Sequence, residues 1–557
     1  MTPDDTARTL RWTAASELAP DDHERLCGAG APYELAVEDV LGADVQVFAQ
    51  RPPHLRALLA QSVDNFGERP FLVYPDETLT FTDSRRRIAA IATVLADDHG
   101  VGPGDRVAFA GTNHLAYVLG AWATITLGAV AVGLNRWWTT AELVRGVEST
   151  RPTVVFADAT RGERLHAGGI DGAITFDALL DAASGVTTGD LPTGPIDEDD
   201  PALVLFTSGT TGGAKAALLS HRALVHLGIS NAAARAVAAA RHGSPPGTPR
   251  PAPAQIMGSP LFHVSGASPV FVTGPAGGTA LVFPPSSRLE PAVELALTER
   301  HRVTTWSGVP TKFWRLLEDP DVGRFDLSSV AIVSAGGSAF SPDLIELLHR
   351  WLPAARLALG YAMTESPAAT VSLDGEAFER RGCVGPPLPG VEIQVRDAEG
   401  RPLDAGAIGE ICLRGPQTFL GYQGDAEASA RAWWPDRWYR TGDFGRIEDG
   451  LLHVESRMRD LVIRGGENVY PAEVEHRLLE HPAVQDVAVV GIPHRTLGEE
   501  VKAVIVLRPG ASMTRDDVRA WVAERLAAFK VPEAVEFRTA LPYSGTGKVL
   551  KRELVDG

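Results

Sequence analysis

The stretch that most constrains this chain is a loop rich in glycine and hydroxyl residues, Thr207-Ser208-Gly209-Thr210-Thr211-Gly212-Gly213-Ala214-Lys215. It follows an apolar run, residues 202–206, which predicts a buried strand. Glycines permit tight turning and let the backbone approach a ligand closely. Successive N–H groups in such a turn form a concave anion site, and the hydroxyls and Lys215 add further donors.

The spacing of this loop differs from the GxxxxGK[ST] phosphate loop, because Ala216 follows Lys215 where that loop has serine or threonine. A flexible connection of the same composition is the alternative interpretation. The preceding strand and the lysine favour phosphate binding.

The loop resembles the phosphate loop of the adenylate-forming superfamily, which includes acyl-CoA synthetases, amino-acid adenylation domains and luciferases. That family usually reads TSGTTGxPKG, so Ala214 replaces the proline and Ala216 the last glycine. Motifs farther along extend the resemblance to the C-terminal end. The resemblance implies an ATP-phosphate site made by Thr207, Ser208, Gly209, Thr210, Thr211 and Lys215.

Length and charge limit the other classes of protein. A chain of 557 residues is too long for one compact core, so at least two domains are expected. A net charge of −18 argues against a general nucleic-acid binder, whose surface is basic. ATP and CoA must therefore be met by local basic groups and helix N-termini.

The cysteines and the apolar patterning indicate the compartment. Cys27, Cys383 and Cys412 are widely spaced, which makes a disulfide framework or zinc site unexpected and fits a reducing cytoplasm. The first residues contain no apolar signal core, and no run of about twenty apolar residues predicts a membrane span. A homodimer is compatible with the sequence.

The order of predicted elements gives the fold class. Strands and helices alternate from residue 71 to residue 370, which indicates parallel sheets covered by helices. Short runs rich in Gly and Pro after Gly382 predict a β-rich subdomain. We therefore expect an α/β fold: residues 46–458 form a large domain with two α/β sheet subdomains and a β-rich subdomain, and residues 459–557 a small mobile α+β domain. Residues 1–45 are acidic and predict an irregular surface extension.

Tyr361-Ala362-Met363-Thr364-Glu365 follows an apolar run, and a hydroxyl and a carboxylate just past a strand end lie where open α/β sheets bind ligands. The same residues are also an ordinary helix start. The motif resembles the family's YGxTE, which implies that Tyr361 stacks on adenine, Thr364 contacts the α-phosphate and Glu365 holds Mg²⁺. Gly336 and Ser338 lie in a segment that resembles the loop passing the adenine.

Tyr439-Arg440-Thr441-Gly442-Asp443 is the next match. A carboxylate can accept from two vicinal hydroxyls of a ribose, although an isolated TGD is usually a solvated turn. The resemblance implies that Asp443 binds the ribose, that Arg457 adds a ribose or phosphate contact, and that Arg459 is the hinge between the domains.

Two glycine-bearing loops of the small domain complete the resemblance. Gly465 and Gly466 resemble a loop that borders the pantetheine arm of CoA after the small domain has turned, and a hairpin turn is the local alternative. Lys548, in a PxxxxGK frame, matches the family's mobile catalytic lysine. Carboxylate attack on the α-phosphate brings negative charges together, so a bridging cation is required.

The acid site is expected around Pro260-Leu261-Phe262-His263-Val264, a segment in which an aromatic residue or the histidine gates access. Amino-acid adenylation domains carry an aspartate after that position, so the apolar Val264 argues against an α-amino acid substrate. The other predicted wall residues are Trp306, Gly308 and Ala362.

Together these motifs predict an ATP-dependent acyl-CoA synthetase with ATP, Mg²⁺ and CoA as co-substrates and cofactors, acting on a fatty, aromatic or polycyclic acid. An acyl-AMP ligase that loads an acyl carrier protein is the alternative. A catalytically silent ligand-binding protein is disfavoured, because Glu365, Asp443 and Lys548 are all present.

Overall fold

The structure is a computed structural model. It describes residues 8–13, 18–207, 214–241, 252–286, 288–336, 340–373, 378, 380, 382–457, 460–464, 467–544 and 549–555. The fold consists of two helix-covered sheets, a β-rich subdomain and a small α+β unit at the C-terminal end, which confirms the predicted fold class.

The N-terminal segment is more ordered than its acidic composition predicts. It contains β1 (Leu10–Arg11), α1 (Pro20–Cys27), β2 (Leu35–Val40) and β3 (Ala43–Phe48). β1 pairs with Ile393 of the β-rich subdomain, and β2 and β3 form a hairpin with its own buried valine cluster. The prediction of an irregular extension is therefore wrong for these residues, and the boundary proposed after residue 45 falls within β3.

The next segment supplies the first sheet and its helices. Its elements are α2 (Leu55–Phe66), β4 (Pro70–Val73), β5 (Thr78–Thr80), α3 (Phe81–Asp97), β6 (Arg106–Ala110), α4 (Leu115–Thr126), β7 (Val130–Leu134), α5 (Thr140–Thr150), β8 (Val154–Ala157), α6 (Ala159–Ala167), β9 (Ile174–Thr175), α7 (Phe176–Ser184), β10 (Pro201–Phe206), β11 (Ala216–Ser220) and α8 (His221–Arg241).

The second sheet follows in the chain. Its elements are β12 (Ala254–Ile256), α9 (Val264–Ser268), α10 (Gly274–Gly277), β13 (Ala280–Val282), α11 (Pro291–Arg300), β14 (Thr305–Gly308), α12 (Pro310–Leu317), β15 (Ile332–Gly336), α13 (Pro342–Trp351), β16 (Arg356–Met363) and β17 (Ser366–Leu373).

The β-rich subdomain contains β18 (Cys383–Gly385), β19 (Glu392–Arg396), β20 (Gly409–Arg414), β21 (Gly421–Tyr422), α14 (Ala426–Arg431), β22 (Trp433–Trp434), β23 (Trp438–Glu448) and β24 (Leu451–Arg457). The small unit contains β25 (Val462–Arg464), β26 (Glu467–Val469), α15 (Pro471–Leu479), β27 (Val484–His494), β28 (Gly498–Leu507), α16 (Arg515–Ala523) and β29 (Ala534–Arg538).

Both sheets have an edge formed by the carboxyl ends of parallel strands. The first sheet has the order β21-β11-β10-β7-β6-β8-β9, and the second has the order β17-β16-β15-β14-β12-β13-β4-β5. The inner strands of both are parallel, so their carboxyl ends share one edge in each sheet. A large apolar cluster that includes Trp122 and Phe271 packs the helices between the two sheets. Loops at these edges are where open α/β sheets bind ligands.

Helix α8 passes through this core. By length and composition it is the one described helix long and apolar enough to cross a membrane, and half of its candidate window is buried within the fold. Core helices of folded domains meet the same criterion.

Candidate active site

Strand β10 and its neighbour β11 form the base of the glycine-rich loop. The two strands pair antiparallel, and Phe206 faces Ala216. Beyond them the N–H of Thr207 donates to the carbonyl of Lys215 over 2.8 Å, which closes the base of the loop. Ser208, Gly209, Thr210 and Thr211 lie outside the described residues, so their phosphate contacts stay predictions. The structure does show that Thr207 and Lys215 flank the loop from the carboxyl edge of the first sheet.

Glu365 lies in the turn between β16 and β17, in the second sheet. Its carboxylate Oε1 accepts a hydrogen bond of 2.7 Å from the hydroxyl of Tyr422. The Tyr422 ring lies under the Lys215 ammonium, whose Nζ is 4.9 Å from the ring centroid. Tyr422 belongs to β21, which extends the first sheet by pairing with β11. One tyrosine therefore links the lysine of the phosphate loop to the carboxylate predicted to hold Mg²⁺.

Burial tunes the Glu365 carboxyl group. Desolvation raises its pKa, and the nearby Asp443 charge raises it further. The Tyr422 hydroxyl and Lys215 act in the opposite direction, because both favour the carboxylate. Loss of the Tyr422 hydroxyl must therefore raise the Glu365 pKa still more.

Tyr361 and Asp443 form the second pair of the site. The Tyr361 hydroxyl donates to Asp443 Oδ2 over 2.7 Å, and both side chains are buried. Tyr361 lies within β16, one strand from Gly336, since Gly336 pairs with Gly360. Pairing with β17 carries the strand on to Met363, so Thr364 and Glu365 lie just past its end, as predicted.

Hydrogen bonds of the neighbouring residues Thr441 and Gly442 fix the bend of β23 that presents Asp443. Thr441 Oγ1 donates to the carbonyl of Ile411 and accepts from the N–H of Asp443. Gly442 has a φ of +70°, a conformation that favours glycine, and its N–H donates to Glu410. Asp443 is therefore held on a fixed bend of β23 and is not a solvated turn residue.

The other predicted nucleotide and small-domain residues have different outcomes. Thr364 is buried in the turn beside Glu365, and the backbone of Arg457 pairs with Asp443 on the neighbouring strand. Outside the described residues lie Ser338, Arg459, Gly465, Gly466 and Lys548. Their roles stay predictions.

The predicted acid segment lies at the carboxyl end of β12. Phe262 is buried and meets Trp137 edge-on at 5.2 Å between ring centroids. His263 is half-buried and caps α9, since its Nδ1 accepts from the N–H of Ser265 over 3.3 Å. Val264 follows in the first turn of that helix and is half-buried. The segment is compatible with an apolar wall that carries one polar ring.

Other predicted wall residues have mixed surroundings. The buried Trp306 indole donates to Thr298 Oγ1 of α11 over 3.0 Å and packs in the second core cluster. A side chain at Gly308 would meet Lys312, and Ala362 is exposed near the carboxyl end of β16. The three stay predictions for the acid pocket.

The site also contains a residue that sequence reasoning missed. Tyr422 lies 57 residues from Glu365 in the chain and touches both Glu365 and Lys215. Periodicity and spacing carry no signal for a contact between distant segments. The only local hint of a short strand there is the Gly421-Tyr422 dipeptide, which follows the apolar residues Phe419 and Leu420.

The donor set at Glu365 fits magnesium held together with a nucleotide. Among the residues described, no group of three or more His, Cys, Asp or Glu side chains could hold a metal ion. Mg²⁺ in such sites is commonly bound by one or two carboxylates, substrate phosphates and waters, which does not require an all-protein cage. Glu365, oriented by Tyr422 and close to the base of the phosphate loop, meets that requirement.

Comparison with known proteins assigns the class. Residues 59–423 match the family described as AMP-binding enzyme, and residues 473–548 match the AMP-binding enzyme C-terminal domain. The chain therefore belongs to the adenylate-forming AMP-binding family. Within that family it falls in the branch of AMP-forming carboxylic acid–CoA ligases.

Individual relatives span most of the chain. A feruloyl-CoA synthase from Amycolatopsis is 34% identical over 86% of this chain and 93% of its own length. A 3-[(3aS,4S,7aS)-7a-methyl-1,5-dioxo-octahydro-1H-inden-4-yl]propanoyl:CoA ligase from Rhodococcus jostii is 30% identical over 91% of this chain and 99% of its own. ATP-bound MatB from Rhodopseudomonas palustris superposes with a TM-score of 0.78 at 29% identity, covering 90% of this chain and 98% of that structure.

Proposed function

We propose that this carboxylic acid–CoA ligase activates a hydrophobic acid in two steps. The acid oxygen attacks the α-phosphorus of ATP, which gives the acyl adenylate and releases pyrophosphate. The CoA thiol then attacks the acyl carbon, which gives the thioester and releases AMP. The observation that supports this best is the bond of 2.7 Å between Tyr361 and Asp443, beside Glu365, in a chain of this family.

The nucleotide roles follow from the chemistry of these side chains. The Tyr361 ring offers a face for adenine, and the Asp443 carboxylate offers acceptors for the vicinal ribose hydroxyls. Lys215 supplies a positive charge at the base of the phosphate loop. Mg²⁺, when bound at Glu365, would neutralise part of the phosphate charge. Lys548 would bring the cation that the meeting of carboxylate and phosphate requires.

The acid class is proposed from the acid segment and from the relatives. Val264 presents an apolar group where an ammonium would need a carboxylate, and burying an unpaired charge costs several kcal/mol. The names of two relatives specify a feruloyl group and a ring-bearing propanoyl group. We therefore expect an aromatic or polycyclic acid before a fatty acid.

The acceptor is proposed to be CoA, approached along Gly465 and Gly466 after rotation of the small domain. A carrier protein is the alternative acceptor. The three cysteines are free thiols, which supports a cytoplasmic setting where ATP and CoA are available.

The test is pyrophosphate and AMP release over a panel of ferulic, 4-coumaric, 3-phenylpropanoic, decanoic and malonic acids, each with and without CoA. The proposal predicts pyrophosphate release with a ring-bearing acid and AMP release that requires CoA. If malonic acid were the one acid of the panel that drives AMP release, the assignment of a hydrophobic acid would be overturned. Adenylate formation without any thioester in the presence of CoA would favour the carrier-protein alternative.

A further inference from the structure

One side chain of the first sheet holds the backbone of the acid segment at three points. The Asn113 amide nitrogen donates to the carbonyl of Met257 over 3.2 Å and to that of Ser259 over 2.8 Å. Its amide oxygen accepts from the N–H of Leu261 over 3.1 Å. Both amide donors and the oxygen are used, so the flipped amide would place oxygen against two carbonyls and is excluded.

These contacts join the two sheets at their ligand edges. Asn113 follows β6 of the first sheet, whereas residues 257–261 follow β12 of the second. Asn113 is itself held from the second sheet, because the Tyr74 hydroxyl donates to its carbonyl over 3.1 Å. Tyr74 in turn stacks on Phe283 at 4.2 Å between ring centroids. Asn113 is therefore held both through its backbone carbonyl and through its side-chain amide.

The segment held by the Asn113 amide leads directly into Phe262 and His263, the residues predicted to gate the acid site. Leu261 is buried and precedes Phe262, whose backbone lies close to Gly133: a β-carbon there would come within 2.9 Å of the Phe262 Cα. His263 comes next and caps α9. A shift of residues 257–261 would therefore move Phe262 and His263 together.

We propose that Asn113 is a positioning residue for the carboxylic acid: it fixes residues 257–261 so that Phe262 and His263 stand at the acid site. The inference rests on the proposed function, in which this segment lines that site. The hydrogen bonds of Asn113 go to Tyr74 and to the backbone of residues 257–261, on the acid side of the site. Its loss should consequently affect the acid and leave ATP binding unaffected.

The test compares Asn113→Asp and Asn113→Ser with the wild type, using ferulic and decanoic acids as probes and measuring KM separately for acid and for ATP. Aspartate keeps the size of the side chain but sets an oxygen against the carbonyls of Met257 and Ser259. The expected result is a fall of about ten- to hundredfold in kcat/KM for the acid, the scale of a misplacement of about 1 Å, with a higher KM for the acid. KM for ATP should stay within about twofold, and serine, which keeps one donor, should lie between.

The matched control is Asn231→Asp. Asn231 is also half-buried, and its amide donates to the carbonyl of Leu227 within α8 over 2.8 Å. It should leave both KM values at the wild-type level. Melting curves of all variants accompany the kinetics. If Asn113→Asp does not fold, the KM values of Asn113→Ser test the proposal.

Two failures are distinguishable. If the wild type turns over a probe acid while the folded Asn113 variants keep its KM for acid, or raise KM for ATP equally, the amide is merely structural and the inference is overturned. If the wild type releases pyrophosphate with none of the acids, the proposed function fails and removes the basis of the inference with it.

Discussion

The hydroxyl of Tyr361 and the carboxylate of Asp443 are joined by a hydrogen bond of 2.7 Å, although 82 residues separate them in the chain. The bond connects β16 of the second sheet to β23 of the β-rich subdomain. It fixes the distance between an aromatic face and an anionic acceptor. A nucleoside needs that arrangement, with its base on the ring and its ribose hydroxyls on the carboxylate.

Asp443→Ala should raise KM for ATP and leave the fold intact. The ribose hydroxyls lose a charged acceptor, a contact of about 1.5–3 kcal/mol, which corresponds to about ten- to hundredfold. Steady-state kinetics with ATP as the varied substrate measure it. Tyr361→Phe is the control, since it removes the hydrogen bond and keeps both the ring and the carboxylate; its effect should be smaller. An alanine variant with the wild-type KM for ATP would contradict the ribose assignment.

Tyr422→Phe should move the acidic limb of the pH–rate profile to higher pH. In the proposed mechanism Glu365 must be charged to hold Mg²⁺, and burial already raises the pKa of this carboxyl group. The Tyr422 hydroxyl lowers that pKa by donating to the carboxylate, so its removal raises the pKa and protonates Glu365 at a higher pH. Activity should then fall earlier as pH decreases, and should approach that of the wild type at alkaline pH.

The measurement is kcat/KM for MgATP between about pH 5 and pH 9, because this ratio reports the pKa values of the free enzyme. Tyr33→Phe provides a hydroxyl deletion away from the nucleotide pair, because Tyr33 lies in the N-terminal segment and packs edge-on against Phe48. Its acidic limb should coincide with that of the wild type. An unchanged limb in Tyr422→Phe would show that protonation of Glu365 in the free enzyme does not limit activity.

Local patterns were sufficient for most individual elements. The mostly apolar run Arg106–Ala110 is a strand within the alternation predicted for residues 71–370, and proline stands in the first turn of the helix Pro471–Leu479. Both signals depend only on neighbouring residues: burial of a continuous run in one case and the fixed φ of proline in the other.

Non-local pairing explains what the sequence did not reveal. The segment around Leu10 forms a strand because it pairs with Ile393, hundreds of residues away. Tyr422 enters the site because β21 pairs with β11 of the first sheet. Neither contact leaves a period or a spacing in the chain, whereas Asp443 and Glu365 could be named because their motifs match a family.

His226→Phe should make the protein less sensitive to acid. His226 is buried and stacks on Phe48 at 5.5 Å, and burial together with Arg51 and Arg222 holds its pKa well below the usual value of 6.5. A base whose folded-state pKa is depressed gives stability that is present above pH 6.5 and lost as pH falls toward the folded value. Phenylalanine keeps the stacked ring and cannot be protonated.

The free energy of unfolding by urea, measured between about pH 7 and pH 4, tests this. The wild type should lose up to about 1.4 kcal/mol per pH unit through this one group. His221, whose pKa burial lowers to about 3, should add to the loss in the same window, so the variant removes only part of it. His349→Phe, at an exposed position of α13, is the control and should follow the wild type. A variant curve parallel to the wild type would exclude His226 as a source of acid sensitivity.

Substitution at Val264 should test the acid class. With valine, ferulic or decanoic acid should drive pyrophosphate release and free phenylalanine should not, because an unpaired ammonium against an apolar wall costs several kcal/mol. Val264→Asp should reduce turnover of ferulic and decanoic acids, since it places a carboxylate beside an acyl group that carries no positive charge. Pyrophosphate exchange by the wild type with phenylalanine at a rate comparable to ferulic acid would overturn the assignment.

Lys548→Ala should separate the two half-reactions. The resemblance to the adenylate-forming family implies that this lysine reaches the site in one orientation of the small domain, and that Gly465 and Gly466 face it in the other, after rotation about Arg459. Without the lysine no cation bridges the attacking carboxylate and the α-phosphate, so adenylate formation should fall by at least about a hundredfold. Supplied with pre-made feruloyl adenylate and CoA, the same variant should still form the thioester at close to the wild-type rate.

Gly466→Trp is the converse variant: it should release pyrophosphate normally and fail in thioester formation, because the indole would obstruct the approach of the pantetheine arm. Equal loss of both half-reactions in Lys548→Ala would mean that one fixed arrangement of the two domains performs both steps.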